Sequence, residues 1–218
     1  MIHLNREELS NPNDRGKRRA CLFVLIVIGM LLLLFLGPQE NAPASESPDP
    51  ARSVDQMPGR DLAGLCFSCH GEQGRSTNPM VPSLAGQENA YLIRQLENFR
   101  DLRRRHAAMQ GVLAKLTTND MARMASYYAK QSPMRGKGIS RKTKGGKPFY
   151  EGCIRCHGES AKGNAGVPRL AGQRAVYLER ELLSYQAKIR STPGMDEEVA
   201  RLTPQQIKAL SLFLSSMK

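Results

Sequence analysis

The longest apolar run lies close to the N-terminus. Residues 21–37 read Cys-Leu-Phe-Val-Leu-Ile-Val-Ile-Gly-Met-Leu-Leu-Leu-Leu-Phe-Leu-Gly without a charge. Arg15, Lys17, Arg18 and Arg19 precede it, and Glu40, Glu46 and Asp49 follow. As a helix this run spans roughly 25 Å, the short end for a bilayer crossing. The charge asymmetry predicts a cytoplasmic tail over 1–20, a transmembrane anchor over 21–37 and the rest of the chain across the membrane. Ala42-Pro43-Ala44 offers a cleaved signal peptide as the alternative, which the long charged lead and the flanking prolines disfavour. Residues 38–58, rich in Pro, Ser, Ala and acids and without periodicity, predict a flexible linker.

Beyond residue 58 the apolar positions fall at helical spacing. Tyr91, Leu92, Leu96 and Phe99 predict a helix over 89–102; Tyr177, Leu178, Leu182 and Tyr185 predict one over 175–189. Thr203-Pro204-Gln205-Gln206 is a helix start, with Thr as cap, Pro in the first turn and Gln206 reaching back. Thr117 with Asp120 is the matching, weaker start. No alternating strand pattern survives, so the fold class is all-α.

The same pattern occurs twice. Val81-Pro-Ser-Leu-Ala-Gly-Gln-Glu-Asn-Ala-Tyr-Leu returns as Val167-Pro-Arg-Leu-Ala-Gly-Gln-Arg-Ala-Val-Tyr-Leu, 86 positions later, and Met109 returns as Met195. The repeat predicts two homologous domains, 59–131 and 148–218, joined by residues 132–147. With no Trp and few aromatics, domains this small need a staple such as a disulfide, a metal or a cofactor.

The formal charge of +12 is concentrated. Residues 132–147 hold six basic and no acidic residues: Arg135, Lys137, Arg141, Lys142, Lys144 and Lys147. One basic segment argues against a nucleic-acid-binding surface. It reads either as a solvated connector or as a docking field for an acidic partner or anionic lipid.

Four of the five cysteines form two pairs, each followed by histidine: Cys66-Phe67-Ser68-Cys69-His70 and Cys153-Ile154-Arg155-Cys156-His157. C-x-x-C-H is the signature of covalent c-type haem attachment. Two thiols on one edge add to the two vinyl groups of the porphyrin, and the next residue sets an imidazole over the iron. The fifth, Cys21, reads as a small buried hydrophobe. A shared zinc site is disfavoured, because the pairs are far apart and each has its own histidine inside its own repeat. A thioredoxin-like pair would need a βαβ setting, which is absent.

An iron held this way needs a sixth ligand or an open position. Met109 and Met195 are the repeated candidates, both in polar stretches without helical periodicity, and thioether ligation raises the potential and closes the site. His106 is the rival in the first repeat; Thr192 stands at its place in the second. Pro82 and Pro168 follow the attachment segments on loops. Their carbonyls would hold the proximal imidazole, or the prolines simply break the chain; spacing alone leaves both open.

The doubled C-x-x-C-H, the doubled V-P-x-L-A-G-Q-x-x-x-Y-L and the placing of Met109 and Met195 ahead of Leu116 and Leu202 resemble the cytochrome c4 family of di-haem class I cytochromes. The resemblance covers residues 59–218. It implies two tandem class I cytochrome c domains about a pseudo-twofold axis, two covalently bound haem c groups, and haem propionates near the shared interface. It implies His70 and Met109 on one iron and His157 and Met195 on the other, and the proline-carbonyl role for Pro82 and Pro168. It also implies an electron carrier between a cytochrome bc complex and a terminal haem-copper oxidase. The N-terminal anchor and the basic linker depart from the family. With the anchor in membrane lipid, the haem domains are expected on the periplasmic side of the inner membrane; with cleavage, the protein would be soluble in the periplasm. An electron-accepting subunit of a periplasmic dehydrogenase is the second functional reading. A haem enzyme or gas sensor is the third, but outside the motifs the only histidines are His3 and His106, so no acid/base constellation is visible.

Overall fold

The computed structural model describes residues 58–218. The tail, the anchor and nearly all of the 38–58 linker lie outside the described residues. Among those described, no helix is long and apolar enough to cross a membrane.

The first half contains α1 (Gly59–His70), α2 (Asn89–Arg100), α3 (Ala107–Leu113) and α4 (Thr118–Ala129). The second half opens with a 3-10 helix (Lys144–Cys153) that runs into α5 (Ile154–His157). It continues with α6 (Ala175–Gln186), α7 (Met195–Ala200) and α8 (Pro204–Ser216). Among the described residues the strand-like pairing is a single bridge, Asn164 with Val167. The second half starts as a 3-10 helix with Pro148 inside it, where the first half has Asp61 in an α-helical turn.

Both expected caps form. Gln206 Nα donates to Thr203 Oγ1 at 3.3 Å, and Thr203 Nα donates to Gln206 Oε1 at 2.8 Å. The Thr117 start, read as the weaker one, is the more elaborate. Thr117 donates to Asp120 through both its backbone N–H and its hydroxyl, and Arg123 adds an ion pair to a carboxylate with no solvent exposure. Helices α2 and α6 stop two or three residues before the predicted ends. Leu102 and Lys188, equivalent in the repeat, adopt φ of 61° and 56°, the left-handed conformation that terminates a helix.

Each half buries its own core. Leu62, Phe99, Leu113, Leu116, Met121 and Met124 pack together in the first, with Ala63, Leu92, Ala125 and Tyr128 beside them. Tyr150, Leu178, Leu210, Phe213 and Leu214 form the second, flanked by Tyr185, Val199 and Ile207. In each half the first and last helices cross at a glycine. A Cβ on Gly59 would stand 2.8 Å from the Arg123 carbonyl oxygen, and one on Gly146 would stand 2.1 Å from that of Ala209.

The 132–147 segment is more than a solvated connector. Gly136 and Gly138 donate to the carbonyls of Met217 and Ser216 at 2.9 Å each, laying the strand of linker along the end of α8. Lys144–Lys147 belong to the helix that packs on α8. The six basic side chains remain exposed.

The halves are joined by a reciprocal clamp. The Gln173 side chain accepts from Ser83 N–H and donates to Ser83 C=O, both at 2.9 Å. The Gln87 side chain does the same to Arg169, at 2.7 and 3.0 Å. Ser83, Gln87 and Gln173 are buried. This is the structural content of the repeated P-x-L-A-G-Q: the glutamine of each copy reads the backbone of x in the other. The glycine before it has positive φ (64° at Gly86, 75° at Gly172) and donates to the last helix, at Tyr128 O and Leu214 O.

The helix crossing yields a paired prediction. Gly146→Ala forces the 3-10 helix off α8 and should destabilise the folded protein by about 1–3 kcal/mol. Gly64→Ala, in α1 with nothing near its Cβ position, should stabilise by about 0.5–1 kcal/mol. Chemical denaturation of the two variants checks this; equal effects would mean that the crossing does not depend on the missing Cβ.

Candidate functional site

The attachment segments sit at the ends of short helical stretches because each must present two thiols and an imidazole from one turn. α1 ends at His70 and α5 at His157, and both stop at a glycine (Gly71, Gly158) with φ of 78° and 74°. Cys66 and Cys153 are half-buried; Cys69 and Cys156 are exposed. Burial pushes the Cys66 thiol above its ordinary value and the Cys153 thiol up to about 11. Among the described residues no three His, Cys, Asp or Glu side chains converge as a group that could hold a metal ion.

The two histidines are buried at 8 % and 4 % exposure. His70 Nδ1 lies 2.9 Å from Pro82 O, and His157 Nδ1 lies 3.0 Å from Pro168 O. A carbonyl only accepts, so Nδ1 carries the proton and Nε2 keeps its lone pair. Burial holds both imidazoles below the usual histidine pKa, only partly opposed by these bonds. Each ring is thus neutral, oriented and ready to act as a donor through Nε2.

Both histidines face one cavity of about 930 Å³ that spans the two halves and is lined by all four motif cysteines, Met109 and Met195. The sequence placed these methionines in irregular polar stretches. The structure instead puts Met109 on α3, against the first core, and Met195 at the start of α7, against Tyr185, Val199 and Ile207. Short helices of six or seven residues are too brief to show a periodic pattern. His106 caps the start of α3, exposed and edge-on to Phe99 at 6.4 Å, and it also lines the cavity. Its counterpart Thr192 is hydrogen-bonded to Tyr185 at 3.2 Å.

At the interface the cavity wall carries a polar junction, of which pattern reading picked out only Tyr91 and Tyr177, as members of apolar helix faces. Arg104 bonds Gln95 in its own half at 3.0 Å, and Tyr177 OH and Glu181 across the interface at 3.1 and 2.7 Å. Arg190 bonds Glu181 in its own half at 2.8 Å, and Tyr91 OH and Gln95 across it at 2.9 and 3.1 Å. Each guanidinium lies over an aromatic ring of its own half, Phe99 at 4.5 Å and Tyr185 at 4.9 Å. Burial opposes the charge on both arginines, but the phenols and Glu181 outweigh it and hold their pKa values above normal. Burial pushes Tyr177 up to about 12. The signal available in the sequence was the 86-residue spacing of Arg104 and Arg190, and of Tyr91 and Tyr177, at positions no core requires to be polar.

These features fit haem. Each half offers two thiols one turn apart, an imidazole with free Nε2 and a thioether within the same largely apolar cavity. The junction sets two guanidiniums against one carboxylate, an excess of positive charge that suits propionate groups.

Two segments of the chain, residues 56–132 and 143–218, each match the family model described as cytochrome c. The chain is 31% identical over 178 residues to cytochrome c4 of Pseudomonas aeruginosa, covering 75% of this chain and 89% of that protein. It is 34% identical over 175 residues to the thiosulfate dehydrogenase electron acceptor of Thiomonas intermedia, covering 71% of this chain and 79% of that one. The crystal structure of reduced recombinant cytochrome c4 from Pseudomonas stutzeri matches with a TM-score of 0.70 at 29% identity, over 73% of this chain and 97% of that chain. With two cytochrome c domains in tandem, the chain belongs to the di-haem cytochrome c4 family of electron-transfer proteins and carries two covalently bound haem c groups.

Proposed function

We propose that this di-haem electron carrier works in a respiratory chain, taking electrons from a cytochrome bc complex and passing them to a terminal haem-copper oxidase. In this reading Cys66, Cys69, His70 and Met109 would hold one haem. Cys153 and Cys156 hold the other, with His157 and Met195. When bound, haem c supplies a one-electron iron couple. The protein's own residues do the rest. The carbonyls of Pro82 and Pro168 fix the imidazole tautomer and raise its donor strength. Met109 and Met195 would each offer a thioether to the iron in their own half, and the apolar wall would limit water.

The observation that carries this reading is the equivalence of the two sites. Each pairs a buried histidine, tied through Nδ1 to a proline carbonyl, with a methionine in the same cavity. Sites with a thioether at hand to close them suit electron transfer, whereas an enzyme or gas sensor needs an open position. The anchor over 21–37 would keep the haem domains at the periplasmic face of the inner membrane, with the exposed cations of 132–147 available to an acidic partner.

The second reading, an electron-accepting subunit of a periplasmic dehydrogenase, is favoured by the likeness to the Thiomonas thiosulfate dehydrogenase electron acceptor.

Met109→His and Met195→His should each lower the potential of one haem and remove part of the sulfur-to-iron charge-transfer band, since imidazole donates more strongly than thioether. The reduced wild type should not bind carbon monoxide. If the band persists in full after Met109→His, His106 becomes the ligand of the first site. Reduction of the purified protein by quinol-oxidising membranes, against reduction by thiosulfate with its dehydrogenase, separates the two functional readings.

A further inference from the structure

The hydrogen bond that holds each histidine does not end at the proline. Pro82 C=O and Ser83 N–H are the two ends of one peptide unit. The carbonyl accepts from His70 Nδ1 at 2.9 Å, and the N–H donates to Gln173 Oε1 at 2.9 Å. In the second half Pro168 C=O accepts from His157 Nδ1 at 3.0 Å, and Arg169 N–H, on the same peptide unit, donates to Gln87 Oε1 at 2.7 Å. Two three-group chains therefore cross the interface: His70, peptide 82–83, Gln173; and His157, peptide 168–169, Gln87. Their members are buried or half-buried. A peptide that donates through its N–H becomes a stronger acceptor through its C=O, because the two polarise each other; such strengthening is roughly 10–30 % per bond. A stronger acceptor at Nδ1 pushes electron density towards Nε2.

We propose that Gln173 and Gln87 are crossed positioning residues. The glutamine of each cytochrome domain orients and polarises the histidine of the other domain, and so sets the potential of the other domain's haem. This rests on the His/Met reading of the two sites and deepens it. It gives the P-x-L-A-G-Q repeat a redox role beyond joining the halves, and it links the state of one domain to the electronics of the other through a named covalent unit.

The test uses the full haem-loaded chain in a Met195→His background, where the second haem is displaced to low potential and the first titrates alone. Gln173→Met keeps the side-chain volume and removes the acceptor. It should raise the potential of the first haem so that its electron-exchange constant shifts about two- to tenfold, tenfold being 59 mV for one electron. Gln173→Glu keeps an acceptor and adds charge, so it should shift the same haem the opposite way. Gln87→Met in this background should leave the first haem within error, and in a Met109→His background it should raise the second. Shifts of the same sign for Gln173→Met and Gln173→Glu would mean general loosening of the interface and would overturn the proposal. So would an unmoved first haem, or equal movement of both haems. Failure of the ligation reading itself shows separately, as an intact sulfur-to-iron band in the Met195→His background.

Discussion

The hydrogen bond between a buried imidazole Nδ1 and a proline carbonyl is the constraint around which each half is arranged. A neutral histidine shielded from water needs a partner for its N–H, and leaving that group unpaired costs about 1–3 kcal/mol. The partner is supplied 12 residues on from His70 and 11 on from His157, by a loop that must turn back over the attachment segment. Leu84 and Ala85 donate to Gly74, and Leu170 and Ala171 donate to Ala161, which pins each turn. Gly86 and Gly172 then tie it to the last helix, and that helix crosses the first. The attachment segment, the loop and the terminal helices thus form one circuit in each half, held by hydrogen bonds along the loop and closed by the packing of the first helix on the last.

The same loop makes the interface. Because the residue after each proline is read by the partner glutamine, the halves cannot separate without freeing the peptide that holds the histidine. The polar junction of Arg104, Arg190 and Glu181 sits beside it, with side-chain exposures between 11 and 13 %. Charges at that depth are little screened by salt. Here the excess of guanidinium over carboxylate favours anionic groups inside an otherwise apolar cavity.

Much of this was legible in the sequence, for physical reasons that differ from place to place. The C-x-x-C-H segments state their chemistry in five residues, and the repeat states the two-domain plan. Thr117–Asp120 and Thr203–Gln206 could be read as starts because capping is local. Tyr91 and Tyr177 were read only as part of an apolar face, since periodicity registers the ring and not the hydroxyl that reaches Arg190 or Arg104. Gln87 and Gln173 stood in plain view in the repeated motif, yet their role depends on contacts 82 and 90 residues away. Met109 and Met195 were found through the repeat and not through their helices, which are too short to carry a pattern. The linker read as a solvated connector or a docking field because composition registers its glycines and cations; its backbone N–H groups, invisible to composition, bind the end of α8.

Two equivalent sites require each half to hold its own haem through its own attachment segment. The most direct measurement is intact mass and haem staining of the denatured protein, produced in a host competent for cytochrome c maturation. For the parent chain, and for variants with Cys66 and Cys69 or Cys153 and Cys156 changed to Ala, the expected added mass is that of two haems, one haem and one haem, with the stain surviving denaturation in all three. A parent chain that carries a single haem, or a mass explained by zinc instead, would contradict it.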